Sequence, residues 1–299
     1  MTLSLDDALS RVPQWAGRPL QAAPLGGGIT NHNVRVEAGG ESFVLRLPGA
    51  DTDLLGINRR HEHAATLAAA AARVGPEVVY FIEPEGCLVT RFIAGHAVPP
   101  GEMRQPGNLR RVAALLRRIH AWPAIPGEFS PFRVVEAYDA TARRRGVKAF
   151  PANYGWLRRR MAEVEAAFLR EPFVPRLCHN DLLNENFLDD GALRLLDWEY
   201  AGMGDLHFDL ANFSVSHGLD DAEDEMFLEA YFGAAAPRTL ARHKLMKLMS
   251  DFREAMWGVV QQGLSQLDFD FRAYADRHFQ RMTENFGDAR FGRWLSEFS

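Results

Sequence analysis

The sequence predicts an α+β protein with two lobes, a small strand-rich N-terminal lobe and a large helical C-terminal lobe. Before Gly95, short segments rich in β-branched and apolar residues alternate with glycine-containing turns. After Gly95, long segments with apolar residues at helical spacing dominate. The chain has 299 residues, which is enough for two domains. We therefore expect an N-terminal lobe over residues 1–94 and a C-terminal lobe over residues 95–299.

The N-terminal lobe is expected to be a β-sheet with one helix. Apolar alternation between turn-forming residues is the strand signal, and it occurs four times. Gly75 and Pro76 end the helix, because proline cannot continue it. The predicted strands cover residues 25–36, 43–47, 77–82 and 87–93, and the predicted helix covers residues 57–74.

The C-terminal lobe is expected to be mostly helical, with one island of strands. Two amphipathic segments, residues 109–120 and 154–169, repeat apolar residues at the spacing of a helix face. Residues 177–198 are rich in short apolar runs that are typical of strands. The remainder of the chain has helical character again.

Composition excludes several classes of protein. The formal net charge is −5, from 34 basic and 39 acidic residues, whereas proteins that coat nucleic acids are strongly basic. Two cysteines, Cys87 and Cys178, are too few for a disulfide framework or a cysteine-rich zinc site. The N-terminus lacks the pattern of a secretory signal, and no apolar run has the length that a bilayer requires. We expect a cytoplasmic protein that binds neither nucleic acid nor membrane.

The most informative segment runs from Cys178 to Glu199. It places Asp181 and Asn186 five residues apart, and Asp197 follows at the end of an apolar strand. Mg²⁺ prefers oxygen ligands, so one amide and one carboxylate beside substrate phosphates suffice to hold it. A further carboxylate can orient and deprotonate a hydroxyl group. Each residue alone could be a turn former, but the whole pattern is specific for phosphoryl transfer.

The N-terminal lobe supplies features of a nucleotide site. Glycines before a predicted strand allow backbone N–H groups to approach a phosphate closely, although no P-loop lysine follows. Strand alternation places Arg46 on the face opposite Phe43, Leu45 and Leu47. A guanidinium in an apolar strand needs an anionic partner, and phosphate oxygens or Glu62 of the next helix are the candidates. An edge-strand arginine that faces water is the alternative.

Taken together, these motifs resemble the eukaryotic-like kinases. The order is a glycine-rich hairpin, a strand cation, a helix glutamate, His-x-Asp-x-x-x-x-Asn and a strand-end aspartate. The segments 27–31, 44–47, 179–181, 197–202, 257–261 and 265–271 are similar to the choline/ethanolamine kinase family, within the protein-kinase-like aminoglycoside phosphotransferase superfamily. Within this family, the chain resembles the LicA-like bacterial choline kinases. The resemblance extends from about residue 25 to about residue 282, and it implies the bilobal kinase fold.

The resemblance also implies roles for individual residues. Asp181 would be the catalytic base, and Asn186 and Asp197 would hold Mg²⁺. Asp209 and His179 would support the catalytic loop without reacting. The residues expected to bind ATP are Gly27, Gly28, Thr30, Asn31, Arg46, Glu62 and the hinge residues Arg91, Phe92 and Ile93, whose backbone would meet adenine.

The acceptor is expected to be a cationic amino alcohol, most simply choline. A quaternary ammonium cannot donate hydrogen bonds, so aromatic faces are its natural receptor. The candidate acceptor residues are Glu199, Tyr200, Glu254, Trp257 and Tyr274. At the position where eukaryotic choline kinases have a Trp-x-x-Trp pattern, this chain has Glu254-Ala255-Met256-Trp257. Ethanolamine, thiamine or an aminoglycoside is therefore an alternative acceptor.

Two other functions use some of the same residues. A metal-dependent phosphohydrolase would need the carboxylates but not Arg46, Glu62 or the glycine loop. A non-catalytic nucleotide-binding module would be free to lose Asp181, Asn186 or Asp197, and this sequence retains all three. The expected partner is a small cationic alcohol. The sequence does not determine the oligomeric state, and a homodimer is one expectation.

Overall fold

The structure is a computed structural model of the chain, and it describes residues 3–26 and 31–298. It confirms the predicted α+β organisation. The N-terminal part contains an antiparallel sheet of five strands, which are β1 Leu20–Pro24, β2 Asn31–Ala38, β3 Glu41–Pro48, β4 Val78–Ile82 and β5 Cys87–Arg91. Their order in the sheet is β1-β2-β3-β5-β4, so β3 is central.

Strand β3 sorts its side chains as the alternation predicted. Phe43, Leu45 and Leu47 face a core that also contains Trp15. Arg46 lies on the opposite face, and its side chain is 12% exposed. The alternative of an edge-strand arginine facing water is therefore wrong, because β3 has neighbours on both sides.

The helices and remaining strands follow the predicted order. The helices are α1 Leu5–Ser10, α2 Arg59–Ala71, α3 Pro100–Met103, α4 Pro106–His120, α5 Pro131–Arg144, α6 Tyr154–Phe168, α7 Leu206–His217, α8 Asp221–Phe232, α9 Pro237–Gln261, α10 Phe271–Phe286 and α11 Phe291–Ser296. The strands are β6 His96–Ala97, β7 Arg176–Cys178, β8 Phe187–Asp189, β9 Leu193–Leu195 and β10 Gly202–Gly204. Strands β6, β8 and β9 form one small sheet, and β7 pairs with β10.

Two elements near the N-terminus had no prediction. Strand β1 is an edge strand with mostly exposed residues, so it lacks the apolar alternation by which strands are recognised. Helix α1 has only six residues, and the Ser4 hydroxyl caps it by accepting the Asp7 N–H. The strand predicted over residues 25–36 begins at Asn31 within the described part of the chain and continues to Ala38.

Helix α9 is the centre of the helical part. It packs against α5, α7 and α10, and every residue from Leu248 to Gln261 is buried. A helix that is enclosed on all sides places polar residues in the interior as well as apolar ones. No helix of the described residues has the length and apolar character needed to cross a membrane.

The two parts of the molecule meet beside the segment that carries Asp197. The Leu195 N–H donates to the Val74 carbonyl at 2.7 Å, which joins β9 to the end of α2. Gly75 is needed there, because a Cβ would lie 2.8 Å from the Ala69 Cβ and 3.2 Å from the Trp198 Nε1. The Asp197 segment is thereby held against the N-terminal part.

Candidate active site

The loop between β7 and β8 carries the predicted base, and a buried aspartate holds it. Asp209, on α7, accepts hydrogen bonds from the backbone N–H groups of His179 at 2.8 Å and Asn180 at 2.7 Å. His120 of α4 lies 3.0 Å from the same carboxylate through its Nε2 atom. Asn180 has a φ of 68°, a left-handed conformation that asparagine tolerates. Asp209 therefore determines where the loop turns.

His179 also lies inside this loop. Its Nε2 atom is 2.8 Å from the Leu196 carbonyl, and its Nδ1 atom accepts the Asp181 N–H at 3.3 Å. The ring packs edge-on against Trp198, with centroids 4.7 Å apart. Burial lowers the pKa of His179, so the ring is neutral near pH 7. This geometry joins the loop to the Asp197 segment.

Asp181 lies at the open side of the loop, with 14% of its side chain exposed. Arg253 of α9 donates from Nη1 to its Oδ1 at 3.2 Å. Burial raises the pKa of Asp181 to about 7; Arg253 opposes this shift, and the neighbouring carboxylates Glu254 and Asp197 add to it. The result is a carboxylate that takes up and releases a proton near neutral pH.

Asn186 and Asp197 flank Asp181 on one side. The Asn186 Nδ2 donates to the Asp181 carbonyl at 2.8 Å. The amide oxygen of Asn186 is the other terminal atom of that side chain and takes no part in this bond. The Leu196 N–H donates to the Asn186 carbonyl at 2.8 Å, so the two segments run side by side. Asp197 keeps 27% of its side chain exposed. An amide oxygen and an accessible carboxylate fit the oxygen-rich ligand set of Mg²⁺.

Arg46 connects the N-terminal sheet to this group. It forms ion pairs with Glu62 of α2 and, at 2.5 Å, with Asp197. The predicted pairing of the strand cation with Glu62 is therefore present in the structure. Because Arg46 also contacts Asp197, it lies where the N-terminal and helical parts of the molecule face each other, a region that we call the cleft.

Arg59 is a second cation of the cleft, and the sequence patterns did not single it out. It donates to Glu62 at 2.7 Å and Glu199 at 3.1 Å from Nη1, and to the Asn31 Oδ1 at 2.8 Å from Nη2. Asn31 in turn donates to Glu199 at 2.8 Å. The structure thus places Glu199, a predicted acceptor residue, against residues of the N-terminal part. Gly27, Gly28 and Thr30 lie outside the described residues.

The predicted hinge continues from β5. The side chain of Arg91 points away from the cleft to Glu41 at 2.6 Å and Glu77 at 3.2 Å. The backbone N–H of Phe92 donates to the Ser42 carbonyl. Within residues 3–26 and 31–298, the N–H of Ile93 has no hydrogen-bond partner. Ile93 therefore offers a backbone donor at the end of this segment.

The remaining acceptor candidates come together beside Asp181. Tyr200, Glu254, Trp257 and Tyr274 form what we call the acceptor cluster. The Trp257 Nε1 donates to the Tyr200 hydroxyl at 3.2 Å, and the Tyr274 hydroxyl donates to Glu254 at 2.8 Å. The rings of Trp257 and Tyr274 lie edge-to-face with centroids 5.5 Å apart. Helices α9 and α10 therefore bring together side chains that are distant in the sequence.

Glu254 is charged although it is buried. Burial alone would raise its pKa, but Arg253 and Tyr274 stabilise the carboxylate and keep the pKa below its usual range. Asn212 of α7 donates to Glu254 at 3.3 Å and accepts the Leu182 N–H at 2.6 Å. Asn212 thus links the acceptor cluster to the catalytic loop.

Sequence reasoning missed Arg59, Arg253 and Asn212. An arginine or asparagine in a predicted helix is usually exposed, so neither type carries a signal by itself. The spacing of Arg59 to Glu62 was the one available signal, since residues three apart share a helix face. Nothing in the sequence indicated that Arg253 is buried.

The chain is similar in sequence to known proteins. Residues 21–245 match the family described as "Phosphotransferase enzyme family". Protein LicA from Haemophilus influenzae is 29% identical over 212 residues, which are 69% of this chain and 61% of that protein. The chain thus spans less than two thirds of the length of that relative. Human ethanolamine kinase 2 is 26% identical over 306 residues, covering 90% of this chain and 77% of that protein.

A solved structure is similar over almost the entire chain. It is the crystal structure of a choline/ethanolamine kinase family protein from Mesorhizobium loti, with 34% identity and a TM-score of 0.83. The superposition covers 98% of each chain. The small sheet, the helical part and the cleft between them are therefore arranged as in that protein.

Proposed function

Because this chain belongs to the phosphotransferase enzyme family, on its choline/ethanolamine kinase branch, we propose that it transfers the γ-phosphoryl group of ATP to the hydroxyl of a small cationic amino alcohol. The observation that carries this proposal is the position of Asp181. It lies on a loop held by Asp209, between the acceptor cluster and the pair Asn186 and Asp197. A base between a metal-binding pair and an alcohol pocket is the arrangement that phosphoryl transfer requires.

On the nucleotide side, Arg46 and the hinge supply complementary groups. Arg46 faces the cleft and already contacts the carboxylate of Asp197. In the nucleotide complex its guanidinium would contact phosphate oxygens, for which its planar fork is suited. The N–H of Ile93, which has no hydrogen-bond partner among the described residues, would meet the adenine base. Arg46 and Ile93 thus address opposite ends of ATP.

Asn186 and Asp197 would hold the Mg²⁺ ion that accompanies ATP. Bound there, Mg²⁺ would neutralise charge on the transferring phosphoryl group. Asp181 accepts the proton of the acceptor hydroxyl as its oxygen attacks phosphorus. Arg253 stabilises the charged form of Asp181 until that proton arrives.

The acceptor cluster supports a cationic alcohol. When Asp181 is deprotonated, as the base must be, Asp181 and Glu254 carry two negative charges against the single positive charge of Arg253. A monocation would therefore neutralise the pocket. Choline and ethanolamine both meet this condition, and choline is the acceptor that the sequence patterns favour.

An acceptor panel tests the proposal. We expect purified protein with Mg²⁺ and ATP to release ADP in the presence of choline or ethanolamine, and EDTA to abolish the release. Thiamine and kanamycin are included in the panel because the family resemblance leaves thiamine and aminoglycosides as alternative acceptors. ADP release that is independent of any alcohol would instead identify a phosphohydrolase. Nucleotide binding without ADP release under every condition would identify a non-catalytic module.

Trp257 offers a test of the acceptor cluster. Trp257→Ala is expected to raise KM for the amino alcohol by about tenfold, because the hydrogen bond that orients the Tyr200 hydroxyl in the acceptor cluster is lost. KM for ATP should stay within about twofold, since Trp257 contacts Tyr200, Phe271 and Tyr274 of the helical part. Steady-state kinetics with each substrate varied in turn measures both constants.

The matched control for this variant is Trp156→Ala, which removes a partly exposed tryptophan of α6 that packs on Phe286. It should leave both constants unchanged. If Trp257→Ala changes the two KM values equally, Trp257 serves only the core of the helical part, to which it also belongs.

A further inference from the structure

Resting on the proposed function, we propose that Arg253 determines acceptor specificity. It directs the enzyme to an amino alcohol that bears N–H groups, such as ethanolamine, and away from the quaternary ammonium of choline. The proposal follows from where the Arg253 guanidinium lies. It occupies the place within the acceptor cluster where a substrate cation would be expected.

Three contacts define that place. The guanidinium carbon lies 4.5 Å from the centroid of the Tyr200 ring. Its Nη1 atom is 2.6 Å from the Glu254 carboxylate and 3.2 Å from the Asp181 carboxylate. The side chain is only 1% exposed. An aromatic face, a buried carboxylate and the neighbouring base are thus all engaged by a cation of the protein itself.

Occupation of this place removes the groups that a quaternary ammonium needs. Such a cation has no N–H donor, so aromatic faces and charge are its means of recognition. Arg253 covers the face of Tyr200, while Trp257 is buried edge-on against Phe271 and Tyr274. Both alcohols are monocations, so the like charge of Arg253 opposes both; a trimethylammonium group has no N–H donor with which to offset that repulsion.

A primary ammonium has other partners in the same pocket. It is smaller and offers three N–H donors. Asp181 has a second carboxylate oxygen, and the hydroxyl oxygens of Tyr200 and Tyr274 can accept hydrogen bonds. These acceptors are retained with Arg253 in place. The pocket therefore discriminates by hydrogen bonding and not by aromatic area.

Replacing Arg253 removes the hydrogen bonds that its Nη1 atom donates to Asp181 and Glu254. Its Nε and Nη2 atoms have no hydrogen-bond partner among the residues that the structure describes. Arg253→Met removes the cation, keeps an unbranched side chain and exposes the face of Tyr200 to the pocket. Because Arg253 also contacts Asp181, kcat is expected to fall with every acceptor. The ratio of kcat/KM for choline to kcat/KM for ethanolamine cancels this common effect.

We expect the wild-type enzyme to favour ethanolamine over choline by about tenfold or more in kcat/KM, and Arg253→Met to raise the choline-to-ethanolamine ratio by about tenfold. Arg253→Lys keeps a cation in the cluster and should keep the wild-type ratio within roughly threefold. Thermal melting and KM for ATP verify that each variant is folded and binds nucleotide.

Two results would overturn the proposal: a wild-type preference for choline, or a ratio that Arg253→Met leaves unchanged. If the methionine variant does not fold, calorimetric titration of the wild-type enzyme with the two alcohols decides, and tighter binding of choline counts against Arg253. Failure of the proposed function looks different, because the wild-type enzyme would then phosphorylate neither alcohol.

Discussion

Asp181→Asn is expected to slow phosphoryl transfer by about 10²- to 10⁴-fold, the usual contribution of a general base. The amide has nearly the shape of the carboxylate, and its oxygen can still accept from Arg253, so the pocket is retained. It cannot accept the proton of the acceptor hydroxyl. Single-turnover measurement of ADP formation at saturating acceptor reports this step directly.

Nucleotide binding separates the base from a metal ligand. If Asp181 acts only on the hydroxyl, the variant should bind Mg²⁺–ATP with a Kd within about threefold of wild type. Loss of ATP binding would instead give Asp181 a metal-binding role. The matched control is Asp6→Asn, which replaces an exposed carboxylate of α1 by an amide. It should change neither the rate of ADP formation nor the Kd for Mg²⁺–ATP.

Asp209→Ala is expected to lower the free energy of unfolding by about 3–5 kcal/mol, because it leaves buried donors without an acceptor. The donors are the backbone N–H groups of His179 and Asn180, at 2.8 and 2.7 Å from the carboxylate. His120 loses the partner of its Nε2 atom and keeps only the Tyr231 hydroxyl at Nδ1. Since the same bonds orient the catalytic loop, kcat should fall together with stability.

Urea denaturation measures the stability change, and kinetics at a temperature where the variant is folded measures the effect on kcat. The control is Asp276→Ala on α10, whose carboxylate is exposed and lies 3.7 Å from Arg272. Exposed pairs of this kind contribute at most about 1 kcal/mol. If the two alanine variants lose equal stability, the carboxylate of Asp209 does not hold the loop.

Short-range patterns predicted much of the site. Asp181, Asn186 and Asp197 lie within one segment, and their order along a loop and two short strands brings them together. The placement of Arg46 also followed from a local rule, since strand alternation chose its face, and Glu62 of the next helix was one of its two candidate partners. The boundaries of β2 and α2 moved by a few residues, which leaves these placements unaffected.

The acceptor pocket was less predictable. Glu254 and Trp257 lie three residues apart, so they share one face of a helix. Arg253 was not considered with them, since neighbouring residues point to different sides of a helix. Helix α9 is enclosed by other helices, so side chains on different sides of it all point into the interior. Burial of Arg253 therefore depends on α5, α7 and α10 and not on its own segment.

The sequence by itself determined the α+β organisation, the phosphoryl-transfer segment and the strand cation, because each depends on residues close together in the chain. Only the tertiary structure decided which cations and carboxylates are buried and which of them contact one another. The contacts of Arg59 with Glu199 and of Arg253 with Asp181 join residues far apart in sequence. Such pairs form when segments that are distant in the sequence pack together and bury their side chains. No pattern of neighbouring residues in the sequence predicts them.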